Sequence, residues 1–328
     1  MDHQLLPRLT GRNKQIWADL LTRCGLEADT QADVFLLLWD GDTLAATGAR
    51  FGSILKCIAV DEAYRGQDLT AAVLSQLRAD AFAAGFDHLF LYTKPENRLQ
   101  FSSLFFYPVV QTESVLLMED RPKGIEKFLA SLPAPATTGT TAALIMHCDP
   151  FTLGHRHLIE TAARECDRVL VFVLSEDRGH FPAADRLMLV QKGTADLPNV
   201  QVLPTGPYLI SAATFPTYFL KNTAAIPQVK CQLDLEVFTK YFAPHFSITH
   251  RYVGTEPNCP VTAAYNEALS ACLPSHGIAV RQIPRLERGG TPISAGAVRQ
   301  LLGTNQPDVL RAFVPESTFQ YLAQKQLI

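Results

Sequence analysis

From residue 141 onward the chain alternates short apolar runs with amphipathic segments, beginning with 141–146, 155–165 and 168–174. Strand, helix, strand in that order is a βαβ unit, and a connection of that length lets the two strands run parallel. Further strands are expected at 200–203, 229–233, 248–253 and 278–283, with helices at 183–195, 214–222, 261–273, 295–302 and 316–324. The second half should therefore form a doubly wound, mainly parallel α/β sheet. Ligands of such sheets bind outside the carboxyl ends of the strands, which points to the loops after Met146, Leu174 and Val253.

The first part reads differently. Residues 33–39 and 43–51 are β-type runs joined through Asp40-Gly41, a dipeptide suited to a tight hairpin. A strand at 55–60, a helix carrying Leu69, Ala72, Val73 and Leu77, a strand at 88–93, a helix at 99–106 and a strand at 114–118 complete an α+β unit. Between the halves, 131–140 holds two prolines and no apolar period, and reads as a linker. The expected division is a first domain over 1–130, a linker over 131–140 and a second domain over 141–328. A chain of 328 residues that is 47% apolar can fill one core in each.

Charge removes other classes. With 29 basic against 32 acidic residues, and no block of like charges, the chain is not expected to bind nucleic acid or an anionic membrane. Its longest apolar runs, 34–39 and 169–174, fall far short of the ~18 residues needed to cross a bilayer. Residues 1–10 show no secretory pattern, so a cytoplasmic location is expected. The seven cysteines are scattered without a C-x-x-C pair, which predicts free thiols and no zinc site.

The most informative string is His147-Cys-Asp-Pro-Phe-Thr-Leu-Gly-His155, between the first strand of the second domain and its first helix. Pro150 stops the strand, and Gly154 lets another backbone or a phosphate come close. The helix beginning near His155 directs its free N–H groups and positive dipole end into the cleft, a setting for an anion. Thr152 and His155, three apart, can face that anion together, whereas His157 is expected to turn away.

This string resembles the T/H-x-G-H signature of the nucleotidyltransferase superfamily, whose members direct a nucleophile to the α-phosphorus of ATP. A second signature occurs about 140 residues later as Ile293-Ser294-Ala-Gly-Ala-Val-Arg299, similar to the superfamily's I-S-x-x-x-[VI]-R element. Ser294 suits an N-cap, and Arg299, one turn in, can meet a departing pyrophosphate. The superfamily often carries a hydroxyl residue at the position of Gly296 and a basic one near Ala297.

The resemblance narrows further. The 150–155 string, Ala213 to Lys221, Leu233-Asp-Leu235, Gly254-Thr-Glu-Pro257 and Pro260-Val-Thr262 with Tyr265-Asn266 look like the citrate lyase ligases, in which a GNAT acetyltransferase-like domain precedes a Rossmann-like nucleotidyltransferase domain. Asp149 stands where that family usually has Asn. The resemblance implies a ligase that uses ATP with Mg²⁺ to turn acetate into acetyl-AMP. It then acetylates the phosphopantetheine-like thiol of the citrate lyase acyl carrier subunit. It implies Thr152, His155 and Arg299 as catalytic residues, and Phe151, Gly154, Arg186, Gly254, Glu256 and Ser294 as nucleotide-binding ones. Thr214, Phe215 and Tyr218 are candidates for a small acyl pocket.

In the first domain, Val60-Asp-Glu-Ala-Tyr-Arg65-Gly-Gln-Asp-Leu69 resembles the acetyl-CoA pyrophosphate loop of GNAT enzymes. That pattern wants Gly or Ala where Asp68 stands, so the loop is read as keeping the fold while binding CoA weakly or not at all. Two alternatives stay open at this level: another adenylyltransferase of the superfamily, and a CoA-responsive docking protein without turnover.

Overall fold

The computed structural model describes residues 1–133, 138–177, 179–209, 215–220, 226–256, 260–304 and 306–328. They cluster into two compact units, Met1–Ile125 with Phe215–Glu236, and Glu126–Thr214 with Val237–Ile328. Among the described residues no helix is long and apolar enough to cross a membrane.

The first unit is a seven-stranded sheet of β1 (Asp2–Leu6), β2 (Val34–Asp40), β3 (Thr43–Phe51), β4 (Ile54–Val60), β5 (Phe90–Thr93), β6 (Tyr107–Gln111) and β7 (Leu116–Glu119), in the order β1-β2-β3-β4-β5-β7-β6. The expected β2–β3 hairpin forms, with Gly41 at φ +58° in its turn. Helices α1 (Gly11–Arg23) and α2 (Leu69–Ala83) pack on the sheet. Trp17 of α1 is fully buried edge-on to Phe35, while α2 lies so close to β3 that a side-chain carbon at Gly48 would come 2.6 Å from Val73. This is the α+β architecture expected of the first part, with β1, β6 and α1 added to the elements that the sequence signals.

All neighbours in this sheet run antiparallel except β4 and β5. That pair is parallel, and it holds together only where Ile54 and Leu55 face Phe90 and Leu91. Beyond that point the strands part, and backbone groups inside the splay need other partners. Tyr218 supplies one: its hydroxyl donates to the Tyr92 carbonyl at 2.9 Å and also meets the backbone at Cys57. Phe215 packs edge-on to Tyr92 at 5.8 Å, and Glu27 N–H donates to the Tyr218 carbonyl at 2.7 Å. These contacts hold 215–220 in the first unit.

The second unit is built on five parallel strands, β8 (Thr141–Met146), β9 (Arg168–Val173), β10 (Val200–Pro204), β11 (His250–Gly254) and β12 (Ala279–Ile283), in the order β10-β9-β8-β11-β12. β8 and β9 are near-continuous apolar runs because helices cover both faces of such a sheet. The main helices are α3 (Leu153–Glu165), α4 (Ala183–Gly193), α5 (Pro260–Cys272), α6 (Ala295–Leu301) and α7 (Glu316–Gln324). The order reverses between β8 and β11, so the doubly wound sheet has its switch point there.

Two expected elements differ. Residues 229–233 lie within the helix Ile226–Val237 rather than in a strand. Val229, Cys231, Leu233 and Leu235 are all buried, a period of two that imitates a strand, but Lys230 and Asp234 form an i,i+4 ion pair that only a helix provides. The helix expected at 214–222 is absent from 215–220, which turn instead; 214, 221 and 222 lie outside the described residues, as do 134–137 of the expected linker.

Candidate active site

At the β8–β11 switch point lies a cleft of about 570 Å³, lined from the loops after β8, β11 and β12, the start of α3 and the start of α6. Thr152, Gly154, His155, Gly254, Glu256, Ser294 and Arg299 all line it. Seven of the nine residues implied by the sequence resemblance thus converge on one cleft.

Thr152 is the N-cap of α3, fully buried with extended backbone. Its Oγ1 accepts from the His155 N–H at 3.3 Å, and its own N–H donates to His155 Nδ1 at 3.1 Å. This is a capping box in which an imidazole replaces the usual Glu or Gln. A backbone N–H can only donate, so Nδ1 is the acceptor and the ring proton sits on Nε2. Burial, then Arg285, then His147 hold the His155 pKa down at about 4. The ring is therefore a neutral donor at physiological pH, with Phe151 stacked at 6.0 Å to fix its plane.

Gly154 has the role foreseen for it. A side-chain carbon there would stand 2.5 Å from the Ile293 carbonyl oxygen, so the absent side chain lets the two signature segments touch through backbone. Ser294 caps α6, its Oγ accepting from Ala297 N–H at 3.1 Å. Arg299 reaches back to the loop after β8, donating to the Asp149 carbonyl and standing 3.6 Å from its carboxylate.

Asp149 itself is engaged. Its Oδ1 accepts from Phe181 N–H at 2.8 Å and its Oδ2 from His180 N–H at 2.9 Å, which ties the loop beyond β9 to the loop beyond β8. The loop after Leu174 therefore supports the site, and none of its described residues lines the cleft.

Three expectations need correction. Phe151 does not line the cleft: it is fully buried in the core, against the bare Gly193 backbone, where a side-chain carbon would stand 2.5 Å from its ring. Arg186 does not line it either. It is fully buried, and its guanidinium donates to the carbonyls of Phe181, His147 and Glu176 at 3.1, 2.7 and 2.5 Å, so it braces the loops from behind. His157 does line the cleft, which extends along α3 as far as Leu158 in its second turn. Of the acyl-pocket candidates, Phe215 and Tyr218 are held in the first unit by the splayed strands, and Thr214 lies outside the described residues.

Two lining residues receive no role from the sequence, although His147 opens the string before α3. Arg285, just past β12, donates from Nε to the Thr255 carbonyl at 2.9 Å and pairs with the Glu256 carboxylate. His147, at the end of β8, has a buried Nε2 without a hydrogen-bond partner, and burial with the nearby Arg186 lowers its pKa. An unpartnered polar atom in such a place fits a polar ligand. Neutral imidazoles, backbone N–H groups and the Arg299 guanidinium together make a donor set for phosphate oxygens.

A family model described as the citrate lyase ligase C-terminal domain matches residues 141–322. The chain is 37% identical to citrate (pro-3S)-lyase ligase of Klebsiella pneumoniae, over 91% of this chain and 89% of that one. It is 38% identical to the protein of the same name in Escherichia coli (strain K12), over 93% and 89%. A shorter likeness, 40% over 67 residues, links it to phosphopantetheine adenylyltransferase of Symbiobacterium thermophilum, covering 20% of this chain and 41% of that one. With a matching model over more than half of its length and such relatives over nearly all of it, the chain belongs to the citrate lyase ligases.

Proposed function

We propose that this chain is an ATP-dependent acid–thiol ligase that activates acetate as acetyl-AMP and acetylates the prosthetic-group thiol of the citrate lyase acyl carrier subunit. In the first step an acetate oxygen attacks the α-phosphorus, the bond to the β-phosphate oxygen breaks, and pyrophosphate leaves. In the second the thiol attacks the acetyl carbonyl, a C–S bond forms, AMP departs and the thiol proton is released.

The observation that carries this is the His155 ring. Held by Thr152 and kept neutral, it presents an Nε2–H donor where charge grows on the α-phosphate oxygens, without having to lose a proton first. Ser294 and Arg299 border the place of the departing phosphates, and Gly254 borders the nucleoside. No side chain need become covalently bound, because acetate is ionised at neutral pH and the cleft acts by positioning.

Mg²⁺ would travel with the phosphates and supply charge neutralisation there. Both Asp149 oxygens already accept N–H groups, so that residue is not assigned as its ligand. The alternative adenylyltransferase reading is not favoured, since the relatives spanning about nine-tenths of the chain are named as ligases. A hydroxylamine trap tests the proposal. With ATP, Mg²⁺ and acetate, the protein is expected to yield acetohydroxamate with one AMP and one pyrophosphate each; ADP and phosphate in their place would mean an acyl phosphate and overturn it.

A further inference from the structure

The cleft holds two guanidiniums, and they stand on different lips. Arg299 is fastened to the Asp149 carbonyl, beyond β8. Arg285 is fastened to the Thr255 carbonyl and the Glu256 carboxylate, beyond β11. Since β8 and β11 are the neighbours that flank the switch point, one cation faces the crevice from each side. The fields they exert agree with this placement: Arg285 acts on His155, whereas Arg299 acts on His147.

Arg285 is about a quarter exposed, and its Nη1 has no hydrogen-bond partner among the described residues. One arm of its fork already holds a carboxylate, that of Glu256, and the other is free to hold a second. A ligase must bring two anions together, a triphosphate and a carboxylate, and a single cation would leave one of them unscreened. Arg299 rises from the helix that Ser294 caps, on the side of the nucleotide signature. That leaves Arg285 for the other anion.

We infer that Arg285 binds the carboxylate of the acid substrate, with Glu256 and the Thr255 carbonyl orienting its guanidinium. The inference rests on the ligase assignment and adds to it the residue that selects a carboxylic acid. A planar two-pronged donor suits a carboxylate better than a point charge does, so lysine should replace it only partly.

The test is acetate-dependent pyrophosphate exchange into ATP, measured on the full chain at varied acetate and at varied ATP. Arg285→Gln should raise the KM for acetate about tenfold or more while the KM for ATP stays within about twofold, and Arg285→Lys should fall between. A thermal shift by ATP alone, equal to that of the unaltered protein, shows that the variant is folded; should the Gln variant fail this control, the Lys variant carries the test. An unchanged KM for acetate, or a rise confined to ATP, would overturn the inference. If the unaltered protein shows no exchange with acetate, with or without an acyl carrier bearing a pantetheine thiol, the ligase assignment fails and this inference falls with it. Exchange in the unaltered protein with no acetate effect in the variants removes Arg285 alone.

Discussion

At the scale of single residues, His155 shows how a helix cap becomes a chemical group. The same hydrogen bond that satisfies an orphan N–H of α3 fixes the tautomer, and burial beside Arg285 holds the pKa at about 4, below the ordinary ~6.5 of histidine. The sign of its effect on stability follows. Between those two values the unfolded chain binds a proton that the folded chain refuses, so the contribution is full above about pH 6.5 and is lost as pH falls toward 4. An NMR titration of the ring should place its midpoint near pH 4, and His155→Gln should flatten the fall of stability across that window. A midpoint near 6.5 would contradict the environment described. The signature residues were legible because their spacing carries a mechanism. Arg285 and His147 were not, since an arginine after a strand and a histidine before a turn are common, and only folding reveals what each faces. Arg186 shows the converse: as a string of letters a helix arginine near a phosphate loop looks like an anion ligand, yet its burial against three carbonyls gives it a bracing role.

At the scale of elements, parallel strands and their crossover helices were the most legible, because strands buried on both faces are unmistakably apolar. The helix 226–237 misled for a physical reason: its buried residues alternate, and the period alone cannot report an i,i+4 ion pair. The segment 215–220 is the other departure. It looks like an aromatic helix in sequence, but its aromatics serve a splayed strand pair far away in the chain, where the Tyr218 hydroxyl donates to the Tyr92 carbonyl. Tyr218→Phe should therefore destabilise the protein by about 0.5–1.5 kcal/mol, the net worth of one buried hydrogen bond. Denaturant melts of the two proteins check this, and equal midpoints with equal slopes would show that water or another donor takes the place of the hydroxyl.

At the scale of the whole chain, the two signatures separated by about 140 residues meet through the bare Gly154 and the Ile293 carbonyl, and with them Thr152, His155, Ser294 and Arg299 reach one cleft. The change of rhythm along the sequence marks an α+β part followed by a parallel α/β part. It does not mark which unit holds 215–236, because that depends on backbone groups at a splay that no sequence pattern marks. The central claim is that the cleft forms an acyl-adenylate with His155 donating to the α-phosphate. The most direct test is exchange of labelled pyrophosphate into ATP with Mg²⁺, with and without acetate, for the unaltered protein and His155→Ala. Acetate-dependent exchange that falls about 10²–10³-fold in the variant is the predicted result, the usual cost of removing one preorganised donor. Equal exchange in the two proteins, or none from the unaltered protein even when a carrier bearing a free pantetheine thiol is present, would contradict the account.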